Sequence, residues 1–328
     1  MNTLYPLKFE PIFKDYIWGG SKLKKELNKK VPANISCCAE SWEISSMQNN
    51  ITVVTNGFLA GNNLQELIEV YMGDLVGDKV YEKFGDEFPL LVKLIDATDT
   101  LSIQVHPNDE VAKERHHAYG KTEMWYIIDS EPDSEIITGF SKKIDKSILI
   151  NALEKKTFKE ILNIEKASKY DAFFLPAGRI HAIGKGILLA EIQQASDITY
   201  RLYDWDRKDK TGKHRELHTD LALDVIDYKH YESYKITAPI SENVFSKLVD
   251  SEFFQVNRLF FNKPIEREYH FIDSFVIYVC IDGKLTLDYG AGELETLTKG
   301  ETILIPAELK ELTITPVEKA MILEVFIK

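Results

Sequence analysis

Cysteine is scarce in this sequence of 328 residues: there are three, and two of them, Cys37 and Cys38, are neighbours. An odd number that includes an adjacent pair argues against a disulfide framework. The stretch 1–10 also lacks a basic segment followed by an apolar run, so we expect no signal peptide. Together these absences favour a reducing, cytoplasmic location.

An excess of basic charge and long apolar runs are lacking as well. The sequence holds 40 Lys and Arg against 52 Asp and Glu, a formal net charge of −12. Because nucleic acids and anionic membranes bind basic surfaces, neither is an expected partner. The longest apolar stretches, such as 275–281, are far shorter than the roughly 20 residues of a membrane-spanning helix. With 44% hydrophobic residues, the chain can still bury a substantial core.

The sequence is rich in short stretches of alternating polarity, separated by Gly, Pro, Asp and Asn. The Asp-Gly dipeptide at 282–283 predicts a hairpin turn between two of them. Many short, closely spaced strands favour a mainly β fold, a β-sandwich or jelly roll, over a parallel α/β sheet. The predicted strands are 90–95, 101–105, 123–129, 173–175, 187–193, 275–281, 284–289, 302–305 and 320–327.

Helical periodicity is local by comparison. Apolar residues recur every three or four positions at 63–71, which predicts an amphipathic helix. We expect 141–169 to form two or three short amphipathic helices inserted between strands, and 219–228 to form another. The inserted helices are interpreted as packing over one end of a barrel.

A weak internal repeat favours two related β-barrels. An acidic residue, four mostly apolar residues and Pro-Ala occur at 171–177 and again at 301–307. Chance similarity between two strands is the alternative explanation of so short a match. In this alignment His181 lies opposite Glu311, so the second barrel would lack that histidine. We expect the two barrels to meet between 227 and 239. The expected domains are 1–235, with a helical insertion at about 141–168, and 236–328.

Four side chains with nitrogen or oxygen donors stand in unusual contexts. Gln104 and His106 are two apart on a predicted strand, so their side chains leave the same face. His181 ends a Pro-x-Gly-x-x-His pattern, in which a tight turn delivers an imidazole to the next strand, and Glu123 begins a strand. This donor set suits Zn²⁺, with Fe²⁺, Mn²⁺ or Co²⁺ as substitutes. A histidine on a strand is more often structural, so spacing alone leaves both interpretations open.

The stretch 191–207 is the second candidate site. Aromatic and charged side chains are interleaved there, with little aliphatic content. A solvent-exposed edge strand would explain the polarity, but it explains the interleaving poorly. Hydroxyl-rich ligands such as sugars are held by aromatic faces beside charged groups, which favours a binding site. The interleaved residues are Tyr200, Arg201, Tyr203, Asp204, Trp205 and Arg207.

These motifs resemble those of the type I phosphomannose isomerases, in their short bacterial form, within the cupin superfamily. The matching segments occur in the family's order over about residues 5–220, whereas the C-terminal third resembles the family only in its β-rich character. The segments are Tyr-Ile-Trp-Gly-Gly at 16–20, Ala-Glu-Ser-Trp-Glu-Ile-Ser at 39–45, Gln-Val-His-Pro-Asn-Asp at 104–109, Gly-Lys-Thr-Glu-Met-Trp at 120–125, Pro-Ala-Gly-Arg-Ile-His-Ala-Ile-Gly at 176–184 and Asp-Ile-Thr-Tyr-Arg-Leu-Tyr-Asp-Trp at 197–205.

The resemblance implies two cupin barrels, the first catalytic and metal-binding and the second metal-free. It also implies one Zn²⁺ per chain and the interconversion of mannose 6-phosphate and fructose 6-phosphate, so the expected partner is a small phosphosugar. Arg201 is implied as the active-site arginine, and Lys121 matches the lysine of the family's Lys-x-Glu-Met motif. A monomer or homodimer is expected. The implied zinc ligands are Gln104, His106, Glu123 and His181.

The implied reaction passes through an enediolate, whose negative charge needs stabilisation. We expect Arg201 to place its charge beside that oxyanion, and Lys121 to contact the phosphate or to act in proton transfer. Tyr200, Asp204 and Arg207 are expected to bind the substrate. Because the sequence has no glycine-rich phosphate loop, side chains must hold the phosphate. The sequence identifies neither the proton-transferring base nor the phosphate-binding residue.

Two alternatives belong to other functional classes. A metal-dependent cupin oxygenase would use iron in a site of two histidines and one carboxylate, and Gln104 argues against it. A non-catalytic sugar-binding cupin would keep the aromatic stretch but would not need Lys121 and Arg201 beside a complete ligand set. Metal analysis discriminates the first alternative, and an assay with mannose 6-phosphate discriminates the second.

Overall fold

The computed structural model describes residues 4–155, 157–208, 212–290 and 292–328, and most of the regular structure in them is strand. The expected mainly β fold class is therefore confirmed. The strands are β1 Phe9–Glu10, β2 Ile12–Gly20, β3 Cys38–Ile44, β4 Ser46–Met47, β5 Asn50–Ile51, β6 Val53–Val54, β7 Leu90–Ala97, β8 Ile103–Val105, β9 Glu123–Ser130, β10 Glu135–Phe140, β11 Leu162–Lys166, β12 Ala172–Leu175, β13 His181–Ile183, β14 Ile187–Gln194, β15 Tyr200–Tyr203, β16 Lys235–Ile236, β17 Val244–Asp250, β18 Gln255–Phe261, β19 Ile265–Glu268, β20 Val276–Asp288, β21 Leu294–Thr298, β22 Thr302–Ile305 and β23 Glu311–Phe326.

The helices are short and lie between strands. None of them is long and apolar enough to cross a bilayer. They are α1 Lys22–Lys25, α2 Leu64–Val76, α3 Asp78–Phe84, α4 Asp109–His116, α5 Lys146–Glu154 and α6 Thr219–Val225, with a 3₁₀ helix at Phe158–Ile161.

Three antiparallel sheets hold most of the strands. The central sheet has the order β16-β12-β9-β14-β7-β3-β2, and a five-stranded sheet has the order β11-β10-β13-β8-β15. The third sheet has the order β17-β18-β23-β20-β21, and β19 and β22 pair with β23 and β20. Two short pairs, β1 with β6 and β4 with β5, complete the described strands.

The central sheet is covered on both faces. One face packs against the five-stranded sheet through residues such as Trp125 and Ile183. The other face packs against α2 and the third sheet through residues such as Val92, Ile68 and Val325. Because both faces are buried, β7 and β14 are buried along their whole length. The inward face between the two N-terminal sheets carries the candidate site.

The start of the chain is tied to its far end. Leu7 and Leu304 exchange two main-chain hydrogen bonds, of 2.7 and 2.9 Å between nitrogen and oxygen, and both side chains are fully buried. Their apolar contacts belong to the same core that joins the central and third sheets. The pairing therefore adds a strand-like contact to the edge of β22.

The expected hairpin at residues 282–283 is wrong. β20 runs without a turn from Val276 to Asp288 and pairs along its length with β23. Gly283 has a φ of 80°, and the register between β20 and β23 shifts on either side of it. The Asp-Gly dipeptide forms a β-bulge, since a left-handed residue can bend a strand as well as close a hairpin.

The expected helical insertion is partly wrong. The structure has the α-helix α5, which begins after Asp145 because that carboxylate accepts a hydrogen bond from the Ile148 amide. The 3₁₀ helix follows it, but the next five residues form the strand β11. β11 pairs with β10 at the edge of the five-stranded sheet, so its polar residues Asn163, Glu165 and Lys166 belong to an edge strand and not to a helix.

Candidate metal centre and active-site cavity

Two facing sheets bring three buried ligand groups together. His181 begins β13 directly across from Gln104 on β8, and His106 follows the end of that strand. Glu123 begins β9 of the opposite sheet. Its two carboxylate oxygens lie 3.6 Å from His106 Nε2 and 3.2 Å from His181 Nε2. Candidate donor atoms of these three residues lie within 4.8 Å of one another.

The side chain of Gln104 completes the set expected from the sequence. Its Nε2 atom lies 3.5 Å from His181 Nε2, so the amide borders the same space. Gln104 and His106 point to the same side because one residue separates them along an extended backbone. The structure therefore brings together all four of the sequence-predicted ligands.

Main-chain carbonyls fix the orientation of both imidazoles. His106 Nδ1 lies 2.7 Å from the carbonyl oxygen of Ile198, and His181 Nδ1 lies 2.8 Å from that of Arg179. Each Nδ1–H donates to its carbonyl, so each Nε2 lone pair faces the cluster. Burial lowers the pKa of His181 to about 4 and that of His106 well below its ordinary value, so both rings are neutral at pH 7.

The chemistry of this cluster fits a divalent cation. His106 Nε2 and Glu123 Oε1 are buried and have no hydrogen-bond partner among the described residues, and the other oxygen of Glu123 has only the Lys121 ammonium group beside it. Unpartnered buried polar atoms are costly, and a cation with nitrogen and oxygen ligands would satisfy them together. Two neutral imidazoles, one carboxylate and one amide match the ligand types that Zn²⁺ accepts.

Lys121 lies against the same carboxylate. Its Nζ atom is 3.2 Å from Glu123 Oε2, and the lysine is buried. Burial raises the pKa of Glu123 to about 7, although the charge of Lys121 opposes that shift. The ammonium group of Lys121 is therefore held beside the cluster of His106, Glu123 and His181.

A cavity of about 250 Å³ opens beside the cluster and is partly exposed to solvent. Gln104 and Lys121 form part of its wall. The aromatic rings of Trp18 and Trp42 also line it, together with the more exposed Tyr16. Its charged lining consists of Lys93, Lys121, Arg201 and Arg215 with Glu40, Glu191 and Asp197.

Arg201 stands next to the cluster on β15. It pairs with Gln104 of β8, so His181, Gln104 and Arg201 form a row across three strands. Its guanidinium donates to the carbonyl oxygen of Glu216 at 2.9 Å and to Ser102 Oγ at 3.4 Å. These contacts aim a fixed positive charge into the cavity from the side of the proposed metal.

Comparison with known proteins assigns the chain to a family. A family model for the catalytic domain of phosphomannose isomerase type I matches residues 6–156, and one for the cupin domain of mannose-6-phosphate isomerase matches residues 245–323. Mannose-6-phosphate isomerase ManA of Bacillus subtilis is 38% identical over 326 residues, which cover 92% of this chain and 99% of that protein. The chain belongs to the type I phosphomannose isomerase family.

Two further comparisons agree with this membership. The mannose-6-phosphate isomerase of Streptococcus mutans is 34% identical over 310 residues, 93% of each chain. The crystal structure of the mannose 6-phosphate isomerase from Bacillus subtilis superimposes with a TM-score of 0.87 at 33% identity, covering 98% of this chain and 99% of that one. The expected cupin-like fold and the expectation of an isomerase are confirmed.

Within this phosphomannose isomerase fold, three residues expected to bind substrate lie away from the cavity wall. Tyr200 is buried on the opposite face of β15 from Arg201, and its hydroxyl lies 2.7 Å from His116 Nε2. Asp204 and Arg207 form an ion pair of 2.6 Å, and neither of them lines the cavity. A direct role of these three residues in substrate binding stays a prediction.

The sequence analysis missed a charged row in the phosphomannose isomerase cavity. Lys93 of β7 and Glu191 of β14 are buried neighbours with an ion pair of 3.1 Å, and the other Glu191 oxygen accepts from Trp125 Nε1 at 2.7 Å. Burial disfavours the charge of Lys93, but Glu191 and then Glu40 outweigh it and raise its pKa. A charged residue in the middle of each apolar strand was the sequence pattern that could have revealed this pair.

Arg215 is the other cavity residue that the sequence analysis missed. It follows β15 in a loop and lines the cavity with Arg201. Its guanidinium forms an ion pair of 2.5 Å with Asp204. No regular periodicity covers this loop, so its approach to the cavity could not be read from spacing.

Proposed function

We propose that the chain interconverts mannose 6-phosphate and fructose 6-phosphate, using one Zn²⁺ held by Gln104, His106, Glu123 and His181. The observation that carries this proposal is the buried cluster of His106, Glu123 and His181, whose unpartnered atoms border a cation-lined cavity in a member of the phosphomannose isomerase family. When bound, the ion would supply concentrated positive charge beside the oxygens at C1 and C2 of the open-chain sugar.

The chain's own residues supply the rest of the chemistry. When mannose 6-phosphate is converted to fructose 6-phosphate, a proton leaves C2 and one is returned to C1, while the hydroxyl proton passes from O2 to O1. The intermediate enediolate carries negative charge on oxygen. Arg201, fixed by Glu216 and Ser102, is placed to stabilise that charge, because its guanidinium stays ionised and does not need to reorganise.

Lys121 is assigned to the reacting end of the sugar. Its contact with Glu123 places the ammonium beside the ligand cluster, where it can donate hydrogen bonds to the oxygens at C1 and C2. Glu123 is a poor general base in this scheme because the cation would occupy its lone pairs. The aromatic walls formed by Trp18 and Trp42 would exclude water from the apolar faces of the sugar.

We also propose that catalysis belongs to residues 1–235 and that 236–328 form a metal-free cupin-like domain. In support, the third sheet contains only strands from β17 onwards. Among the described residues, the one group of three His, Cys, Asp or Glu side chains able to hold a metal lies in the N-terminal part. Glu311, aligned with His181 in the internal repeat, instead pairs with His270 at the surface.

The test combines metal analysis with an isomerase assay. Metal content is measured on the purified protein, and formation of fructose 6-phosphate from mannose 6-phosphate is followed before chelation, after chelation and after addition of Zn²⁺. We expect one zinc per chain and turnover that is lost and then restored. Undiminished turnover in stripped protein would contradict the zinc proposal. Iron as the resident metal would favour the oxygenase alternative, and zinc without turnover would favour the sugar-binding one.

A further inference from the structure

The cavity has a second arginine besides Arg201. Arg201 pairs with Gln104 across β15 and β8, and Arg215, which comes from the loop after β15, lines the same cavity. Arg201 and Arg215 are close enough for their like charges to interact. Burial lowers the pKa of Arg201, and Arg215 lowers it further.

A buried carboxylate holds Arg215 in one orientation. Asp204 is 5% exposed and accepts from Arg215 Nε at 2.7 Å and from Arg215 Nη2 at 2.5 Å. The same carboxylate accepts from Arg207 Nη2 at 2.6 Å, and Asp99 pairs with Arg207 at 3.2 Å. Two parallel hydrogen bonds to a carboxylate fix the plane of a guanidinium.

The fixed guanidinium keeps unused donors. A guanidinium has five N–H groups, and Asp204 takes two of those on Arg215, so three have no acceptor among the described residues. The side chain is 27% exposed, which leaves that edge accessible from the cavity. Asp197 lines the same cavity, but in the described part of the chain no arginine lies within 4 Å of its carboxylate.

We infer that Arg215 binds the phosphate group of the substrate, with Asp204 as the residue that positions it. This inference rests on the proposed function, and it assigns different roles to the two arginines of the cavity. Arg201 is paired with Gln104 of the ligand cluster and serves the reacting carbons, whereas Arg215 is fixed by Asp204, lines the same cavity and serves the anion. Planar, prearranged guanidinium groups suit phosphate oxygens better than a flexible ammonium does.

Lys121 is already engaged at the ligand cluster. Its Nζ atom lies 3.2 Å from Glu123 Oε2, so its ammonium group is held beside the proposed ligands. Lys121 is therefore assigned to the sugar oxygens, and Arg215 to the phosphate. The ammonium group of Lys93 is also ion-paired already, since carboxylate oxygens of Glu191 and Glu40 both lie within 4 Å of it.

The test compares Arg215→Ala and Arg215→Lys with Arg201→Ala in the metal-loaded protein. Binding of inorganic phosphate is measured by calorimetry, KM and kcat are measured for mannose 6-phosphate, and metal content and thermal unfolding check the fold. We expect Arg215→Ala to weaken phosphate binding and raise KM by about 10- to 100-fold with little change in kcat. Arg215→Lys should lie between, and Arg201→Ala should lower kcat instead.

A matched surface control is Lys247→Ala, which removes one exposed positive charge far from the cavity and should leave both constants unchanged. Unchanged phosphate binding in Arg215→Ala would overturn the inference, even if turnover fell. A fall in turnover alone would indicate that Arg215 has a structural role, since such a role would not weaken phosphate binding selectively. If the wild-type protein binds phosphate through Arg215 but does not isomerise mannose 6-phosphate, the proposed function fails and the anion site stands.

Discussion

The Nδ1 atom of His181 lies 2.8 Å from the main-chain carbonyl oxygen of Arg179, two residues earlier in the chain. The side chain of Arg179 itself lies against two aromatic rings, 4.3 Å from the ring centre of Tyr231 and 4.7 Å from that of Tyr234. The loop that orients the imidazole is therefore anchored by cation–π contacts outside the cluster of proposed ligands. Second-layer contacts of this kind set both the tautomer and the direction of a ligating histidine.

Replacing Arg179 by Ala should weaken metal binding without removing a ligand. Loss of the two ring contacts frees the loop, and we expect metal affinity to fall by about 10- to 100-fold. Competition with a chromophoric chelator measures this directly. Tyr231→Phe is the matched control, because it keeps the aromatic ring against which Arg179 lies and removes the hydroxyl, which donates to Asp227. Equal affinities for Arg179→Ala and wild type would show that the loop holds His181 without this anchor.

Replacing Glu123 by Gln should abolish stoichiometric metal binding while keeping the shape of the side chain. The carboxylate is the one anionic member of the four proposed ligands, and the amide cannot supply its charge. We expect affinity to fall by more than about 100-fold, together with turnover. Metal analysis after dialysis measures the loss. Retention of a full equivalent of zinc would contradict the proposed ligand set.

Replacing Arg201 by Ala should affect the chemical step. Removal of one group that stabilises an oxyanion typically lowers kcat by about 100- to 1,000-fold, and we expect a loss of that size with metal content unchanged. Steady-state kinetics and metal analysis on the same preparation test this. Arg201→Lys should recover part of the loss because it restores a positive charge but not the planar fork. Near-normal kcat in Arg201→Ala would remove this residue from the mechanism.

Replacing Lys93 by Met should destabilise the fold. The change leaves Glu191 and Glu40 without their shared cation in a buried row, and breaking a buried pair of this kind costs about 3–5 kcal/mol. Urea unfolding gives the free-energy difference. The exposed control Lys247→Ala should change stability by less than about 1 kcal/mol. A small effect of Lys93→Met would mean that water or rearranged side chains replace the ammonium.

The ionised form of Glu191 should make the free energy of unfolding depend on pH in the acidic range. Burial would raise its pKa, but Lys93 and then Lys121 outweigh burial and lower the pKa from 4.5 to about 2. Because the folded value is the lower one, the stabilisation is present above about pH 4.5 and is lost as the pH falls towards 2. It amounts to something on the order of 3 kcal/mol. The free energy of unfolding of Glu191→Gln should therefore fall less steeply than that of the wild type between pH 4.5 and 2.5. Unfolding curves at several pH values measure this. Equal slopes for the two proteins would contradict the assignment.

That the four proposed ligands lie together was predictable, because local geometry and the motif order both applied to them. One intervening residue between Gln104 and His106 places both side chains on one side of an extended chain, and the structure keeps that relationship. The same alternation predicts that Tyr200 and its neighbour Arg201 face opposite sides of the strand, and in the structure Arg201 lines the cavity while Tyr200 is buried. Arg215 could not be placed, since it reaches the cavity through a loop.

The errors in the fold have a common physical source. The dipeptide at 282–283 can close a hairpin or form a bulge, and only the pairing of β20 with β23 over their full length decides between them. Likewise, the Lys- and Glu-rich segment before residue 167 is compatible with a helix until β10 provides an edge to pair with. In both cases a partner strand distant in sequence, or the sheet as a whole, selects the local conformation.

The pairing of Leu7 with Leu304 has a consequence for synthesis on the ribosome. These residues are 297 positions apart, so the main chain of Leu7 cannot pair with Leu304 until the residues between them have been synthesised. At roughly 5–20 residues per second, that takes on the order of 15–60 s. During this interval Leu7 lacks the partner that buries it in the folded protein.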